Sequence, residues 1–401
     1  MASQHILQSL AHKTSSRIVL LVMDGLGGVP VDGRTELEAA STPNLDALAA
    51  ESACGVTDPI ARGITPGSGP SHLALFGYDP LSYEIGRGVQ EACGVGLSMT
   101  KRDVAARGNY ATLSDSGRIA DRRAGRIPTE KNKELCALLS REIPAIGNVE
   151  VIIEPGKEHR FTILFRGDGL DGRLADADPQ IAGEAPVPAQ ALDPDAQPTA
   201  DIVNAFVARA TEALKGHEPA NTILLRGFAK YPDIPSMEEL FKLAPAAIAA
   251  YPMYRGLAQL VGMDVLDVGE TIADEFDVLE REFANHDFFY VHVKKTDSYG
   301  EDGNFDSKVG IIEETDGLIP KLRALEPDVI VVTADHSTPA VLKAHSWHPC
   351  PFLLWSKYVR PDSVKRYTER ECARGGLGRF PAVEAMPLML ANALKLAKYG
   401  A

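Results

Sequence analysis

The sequence predicts an α/β fold, a mostly parallel sheet with helices on both faces, interrupted by an inserted α+β domain. Three observations carry that expectation: apolar, β-branched runs that each lead to an acidic residue, helical patterns between them, and a middle stretch with a different grammar. The 401 residues, 45% apolar and 24% charged, have a globular composition and enough chain for more than one core.

The first run, Arg17-Ile-Val-Leu-Leu-Val-Met23, is continuous in apolar residues and closes on Asp24-Gly-Leu-Gly-Gly28. It reads as a strand covered on both faces, followed by a glycine turn. Thr42-Pro-Asn-Leu-Asp-Ala-Leu-Ala49 reads as a helix with a capping Thr and Pro at the first helical position. From about Thr100 to His217 long buried runs thin out, arginine becomes frequent, and Asp171 to Ala200 is rich in proline and aspartate. This stretch is expected to be an inserted cap, residues 100–217, with shorter strands such as Phe161-Thr-Ile-Leu-Phe165; residues 1–99 and 218–401 form the core. Thr222-Ile-Leu-Leu225 and Ala246 to Ala250 are expected to resume the main sheet. Asp287-Phe-Phe-Tyr-Val-His-Val293 leads through two lysines to Asp297; after a helix over Glu313 to Leu325, Asp328-Val-Ile-Val-Val-Thr333 leads to Asp335-His336.

Ligands of open parallel sheets bind beyond the carboxyl ends of the strands, so Asp24, Asp297 and Asp335 are expected to converge. Ser68, His336 and His345 join them as candidates. Oxygen and imidazole donors without thiolates suit Mn, Zn or Mg, and two such ions about 4 Å apart clamp both sides of a phosphoryl displacement. Singly, each residue has a plainer reading, a turn or cap for the Asp and ordinary packing for the His. The adjacent pair at a strand end, with His345 beyond it, is harder to explain as capping. In Gly63-Ile-Thr-Pro-Gly-Ser68-Gly-Pro-Ser-His72 a serine opens a helix, where backbone N–H groups favour a phosphate. Ser68 is a candidate nucleophile, and Ser71 is its rival for that role or for a simple ST-turn.

Arg122, Arg123 and Arg126, then His159-Arg160 and Arg166, gather in the insert. Guanidiniums beside glycine turns suit capture of phosphate or carboxylate, although a solvated charged face accounts for them equally well. Lys plus Arg number 41 against 55 Asp plus Glu, a formal charge of −14 that argues against nucleic acid and anionic membrane as partners. Cys54, Cys93, Cys136, Cys350 and Cys372 form no C-x-x-C pair, and the run Ile18 to Met23 is too short for a signal peptide core or a membrane span. A reducing cytoplasm is the expected compartment, and the oligomeric state is left open.

The ordered motifs resemble the archaeal-type cofactor-independent phosphoglycerate mutases of the alkaline phosphatase superfamily. They are Met23-Asp-Gly-Leu-Gly27, Glu36-Leu-Glu-Ala-Ala-Ser-Thr-Pro-Asn44, Pro66-Gly-Ser68, His72-Leu-Ala-Leu-Phe-Gly-Tyr-Asp-Pro80, Gly86-Arg-Gly88, Asp121-Arg-Arg-Ala-Gly-Arg126, Arg166-Gly-Asp-Gly169, Val261-Gly-Met-Asp264, His292-Val-Lys294, Thr333-Ala-Asp-His-Ser-Thr-Pro339, His345 and Gly375-Gly-Leu-Gly378. The resemblance implies an alkaline phosphatase-like core and a serine, Ser68, that is phosphorylated and returns the group to the other hydroxyl of a reoriented glycerate. It also implies two divalent ions (Mn, Zn, Co or Mg), one on Asp24, Ser68, Asp335 and His336, the other on Asp297, Glu301 and His345. Arg122, Arg123, Arg126, Arg166 and Lys294 are the candidate substrate contacts.

Two positions depart from the family pattern. Glu301 stands where the motif has histidine, and Leu240 stands where it has a lysine that touches the transferring phosphoryl group; Lys242, Lys294 or Lys295 is expected to substitute. The alternatives are a phosphohydrolase or phosphomutase of the same scaffold acting on another small phosphorylated or phosphonylated acid, and a catalytically silent binding protein.

Overall fold

A computed structural model describes residues 4–83 and 85–400. The chain divides into two units, Met1–Glu84 with Ile234–Ala401, and Ile85–Asp233.

The first unit is built on an eight-stranded sheet, among the described residues, in the order Asp264–Val265, Pro245–Ala249, Phe288–Val293, Ile18–Met23, Val329–Thr333, Cys350–Ser356, Ala53–Asp58, Gly378–Pro381. Cys350–Ser356 runs antiparallel to both neighbours, and the other pairings are parallel. Ile18–Met23 lies in the middle and is buried at every residue, as an unbroken apolar run requires when helices cover both faces. Its register sets Met23 beside Val293, and Val22 beside Thr333. The residues just after these three strands therefore emerge at one edge. Val19, Leu21 and Met23 pack with Ile312, Ile319 and Leu322 of the helix Phe305–Ala324, which is longer than the expected segment over Glu313 to Leu325.

The helix at Pro43–Ala50 forms with Pro at its start, but Thr42 makes no side-chain cap. Asp316 takes over, its carboxylate accepting from the N–H groups of Asn44 (3.3 Å) and Leu45 (2.7 Å). A carboxylate at a helix N-terminus satisfies orphan donors and complements the dipole.

The second unit is a six-stranded antiparallel sheet among the described residues. Its path is Ile119–Asp121, Asp103–Leu113, Arg160–Arg166, Val149–Pro155, Ala145–Ile146, with Thr222–Lys230 also paired to Asp103–Leu113. The last pairing corrects the expectation that Thr222–Leu225 rejoins the parallel sheet. Ile223 and Leu225 point into this unit's core, beside Val203 and Phe206 of the helix Gln197–Ala213, and a short apolar run carries no local sign of which sheet will take it. Pro245–Ala249 does join the first sheet as expected. The second unit, Ile85–Asp233, is thus wider than the expected 100–217 and includes the helix Arg87–Gly94.

All five cysteines are free and buried. Among the described residues no helix is long and apolar enough to cross a membrane.

Candidate metal centre

Asp24, Asp335 and Asp297 come after the three central strands, and the register brings them together as the strand-end argument requires. Asp24 and Asp335 are buried, with His336 between them: its Nε2 lies 3.3 Å from Asp24 Oδ1 and 3.1 Å from Asp335 Oδ2. Ser68 Oγ is 3.3 Å from the same nitrogen. Asp335 Oδ1 accepts from Gly25 N–H at 3.1 Å, whereas Asp24 Oδ1 is buried without a hydrogen-bond partner. Asp297, His336 and His345 form a second group of convergent donors. His345 Nε2 is 3.7 Å from Asp297 Oδ1 and 3.8 Å from Glu301 Oε1, and its Nδ1 donates to Pro66 C=O at 2.9 Å. The rings of His336 and His345 stack at 3.6 Å.

Ser68 opens the helix Ser68–Leu75 and is partly open to solvent. Ser71 is fully buried, and its hydroxyl faces the carbonyls of Gly67 (2.9 Å) and Ser68 (3.0 Å). Of the two serines that the sequence offered, Ser68 is the one open to solvent.

Electrostatics follow from burial. Burial, with the neighbouring Asp24 and Asp297 charges, pushes the Asp335 carboxyl well above the usual range. Burial would raise Asp24 too, but the His292 hydrogen bond (3.0 Å) and the Lys294 ammonium (3.2 Å) hold it well below. Burial keeps His336 well below its ordinary value, lowers His292, and pushes His72 down to about 3 with help from His292. Neutral imidazoles are the form that ligates metal. Glu301 is raised by partial burial and by Asp297.

The donors fit divalent ions. Among the described residues, three buried carboxylates, Asp24, Asp297 and Asp335, gather here with Lys294 paired to the first two, Glu301 lies nearby and is exposed, and one buried carboxylate oxygen is orphaned. Buried charge of one sign is costly unless compensated, and oxygen and nitrogen donors without sulfur suit Mn, Zn, Co or Mg.

Of the three lysines offered for the missing one, Lys294 reaches the site: its Nζ lies 2.5 Å from Asp297 Oδ2 and 3.1 Å from the Tyr254 hydroxyl. Lys242 is engaged by the Glu239 carbonyl at 2.8 Å, Lys295 is exposed, and Leu240 is buried. Tyr254, on the helix Pro252–Leu260, was not foreseen. Nothing in a lone tyrosine of an amphipathic helix marks it as facing a site.

The expected arginines divide. Arg122 is held by Asp178 (2.9 and 2.6 Å) and Arg166 by Asp103 (2.7 and 2.8 Å), both bidentate within the second unit. In both, the Nε–Nη edge of the guanidinium is filled by a carboxylate. Arg123 and Arg126 are exposed. A different cluster is buried and only partly paired: the Arg107 guanidinium meets Glu91 at 3.1 Å through one Nη. Arg107 stands opposite Arg226 and Thr162, and Asn109 opposite Arg160 and Leu224. Arg107 Nε, Arg226 Nε, Asn109 Oδ1 and His159 Nδ1 are buried without hydrogen-bond partners. Burial, offset in part by Glu91 and reinforced by Arg160, Arg226 and Arg87, lowers the Arg107 pKa. The signal was present in Val104-Ala-Ala-Arg-Gly-Asn-Tyr110, where charged and amide residues alternate with core positions of a strand.

Oxygen and imidazole donors at the carboxyl edge of a parallel sheet, beside a reachable serine, define a candidate divalent-metal enzyme. Residues 49–220 match the family model described as 2,3-bisphosphoglycerate-independent phosphoglycerate mutase. A Thermotoga neapolitana protein named probable 2,3-bisphosphoglycerate-independent phosphoglycerate mutase is 54% identical over 99% of both chains, and a Thermus thermophilus protein of the same name is 53% identical over 99% of both. The solved structure of the cofactor-independent phosphoglycerate mutase from Thermoplasma acidophilum aligns with TM-score 0.80 at 32% identity, covering 94% of this chain and 100% of that one. A Pyrococcus horikoshii protein structure aligns with TM-score 0.79 at 30% identity, over 97% and 100%. The chain belongs to the 2,3-bisphosphoglycerate-independent phosphoglycerate mutase family.

Proposed function

We propose that this isomerase interconverts 2- and 3-phosphoglycerate through a phosphoserine at Ser68. In the first transfer the Ser68 Oγ–P bond forms as the substrate O–P bond breaks; the glycerate reorients, and its other hydroxyl takes the phosphoryl group back. The observation that carries the reading is the convergence of Asp24 Oδ1, Asp335 Oδ2 and Ser68 Oγ on His336 Nε2, at 3.3, 3.1 and 3.3 Å. Asp24, Ser68, Asp335 and His336 would hold one divalent ion, and Asp297, Glu301 and His345 the other. When bound, the ions (Mn, Zn, Co or Mg) supply charge neutralisation on the phosphoryl oxygens and ease deprotonation of the serine.

The protein's own groups do the rest. The N-terminus of the helix Ser68–Leu75 offers N–H groups and a favourable dipole to the phosphate on Ser68. Lys294, kept charged by Asp24 and Asp297 against the cost of burial, takes the place of the lysine that Leu240 replaces. In the second unit we assign the holding of the substrate's anionic groups to Arg107, Arg160 and Arg226 with Asn109, in place of Arg122 and Arg166; Arg123 and Arg126 are secondary. Two in-line transfers with the glycerate retained need water excluded, and we assign that capping role to the second unit. Five buried free cysteines fit a reducing cytoplasm.

Incubating metal-loaded protein with 3-phosphoglycerate tests the reading. Formation of 2-phosphoglycerate is the expected result, and its loss on chelation with recovery on adding Mn or Co supports the metal assignment. Release of free phosphate would indicate the hydrolase alternative, which the buried apolar Leu240 favours; no change would indicate a silent protein.

A further inference from the structure

His336 belongs to both groups of convergent donors, one with Asp24 and Asp335 and one with Asp297 and His345. An imidazole has two nitrogens, and in the neutral ring one of them carries a proton. Which group owns His336 is therefore a question of where that proton sits, and its neighbour Thr338 answers it.

The Thr338 hydroxyl lies 2.6 Å from Asp297 Oδ1 and 3.0 Å from His336 Nδ1. It has a single proton to give, and the shorter of the two contacts is a donation to the carboxylate oxygen. The proton goes to Asp297, so toward His336 the hydroxyl oxygen is an acceptor, and Nδ1 must be the protonated nitrogen. Nε2 is left with its lone pair toward Asp24 Oδ1, Asp335 Oδ2 and Ser68 Oγ. Asp297 Oδ1 lies 4.0 Å from His336 Nδ1, too far for a direct bond, so the hydroxyl is the link between them.

Thr338 is rigidly placed. Its backbone N–H points at the carbonyls of Gly25 and Gly27 (both 3.1 Å), in the turn just after Asp24. Its own carbonyl accepts from Lys308 Nζ at 2.9 Å, a fully buried amine that also donates to Gly25 C=O at 2.9 Å. Space is tight: a Cβ on Gly25, where φ is +64°, would stand 2.6 Å from Thr338 Oγ1 and 2.8 Å from Asp297 Oδ1. One small hydroxyl thus touches a donor of each group and is tied to the turn bearing a third.

We propose that Thr338 is a positioning residue that fixes the tautomer of His336, assigning its Nε2 to the ion held by Asp24, Asp335 and Ser68, and couples the occupancy of that site to the Asp297–Glu301–His345 site. The inference rests on the two-ion reading above. Outer partners of metal-bound histidines fix tautomer and ring orientation, and their loss costs about 10–100-fold in metal affinity.

The test is a cobalt titration of the full, metal-stripped chain, followed by calorimetry and visible absorption, in wild type, Thr338→Val and Thr338→Ser. Wild type is expected to take up two ions. Thr338→Val, which keeps the shape and removes the hydroxyl, is expected to weaken both steps about 10–100-fold and to shift the cobalt band as His336 loses its fixed tautomer. Thr338→Ser, which keeps the hydroxyl, is expected to restore affinities and band to near wild type. A melting temperature of metal-free Thr338→Val close to wild type separates this from unfolding; should Val not fold, Thr338→Ala replaces it in the same comparison. Superimposable isotherms and bands for Val and wild type would overturn the role of Thr338 while leaving the two-ion reading intact. A wild type that binds no cobalt would overturn both.

Discussion

The two units use their sheets in opposite ways. In the first, the central strand Ile18–Met23 is buried at all of its residues, and the convergent donors begin beyond its end at Asp24. In the second, Val149–Pro155 alternates between buried and open residues, and two buried atoms without hydrogen-bond partners, Arg107 Nε and Asn109 Oδ1, belong to alternate residues of a neighbouring strand. A parallel sheet covered on both faces has only its edge to offer a ligand, so its functional residues sit just past the strand ends. The antiparallel sheet carries its main core on one face and a smaller apolar cluster, Ala92, Ala105 and Leu164, on the other, which leaves room there for polar residues that alternate with core positions along a strand.

The sharpest way to break this contrast is at the strand-end site. Ser68→Ala is expected to lower turnover of 3-phosphoglycerate by about 1,000-fold or more while the melting curve stays near wild type, since a small, partly exposed hydroxyl is removed. Retained turnover would exclude Ser68 as nucleophile and leave the first unit's edge without its central role.

The second comparison is inside the antiparallel sheet. Arg107→Met is expected to raise KM for 3-phosphoglycerate about tenfold with kcat less affected, because a guanidinium assigned to the substrate's anionic groups is lost. Arg122→Met is expected to leave KM within about twofold and to lower stability instead, because it strips Asp178 of its partner. Equal kinetic effects would show that bidentate pairing is no guide to which arginines bind.

The smallest expected effect concerns the parallel unit's packing. Glu275 is 4% exposed, its Oε2 has no hydrogen-bond partner, and burial pushes its pKa up to about 9. A carboxyl whose folded pKa lies above its unfolded value favours folding only in the protonated form, so its contribution is full below the unfolded pKa and is lost as pH rises toward 9. Glu275→Gln is therefore expected to raise the melting temperature by about 2 °C at pH 8 and to leave it unchanged near pH 4. A shift that is the same at both pH values would show that charge is not its cause.

Much of the first unit was legible because long apolar runs announce strands covered on both faces, and the acidic residue that closes each run marks the sheet's carboxyl edge. Asp24, Asp297, Asp335 and His336 were found that way. Thr222–Leu225 was not: the run is as apolar as a core strand, yet it is taken by the antiparallel sheet, where Ile223 and Leu225 find their partners. Arg122 and Arg166 attracted attention by clustering in sequence, and only their pairing with Asp178 and Asp103 revealed them as already occupied. Arg107 and Arg226 lie far apart in the chain and became neighbours through strand register.

By itself the sequence determined the α/β class and the acidic strand ends, and it named candidate donors, because burial periodicity and residue chemistry are local properties. Tertiary structure decided which of two serines is reachable, which arginines are held bidentately by carboxylates, and which nitrogen of His336 faces the carboxylates. Each of those depends on the distance between groups remote in the chain, and such distances are set by packing.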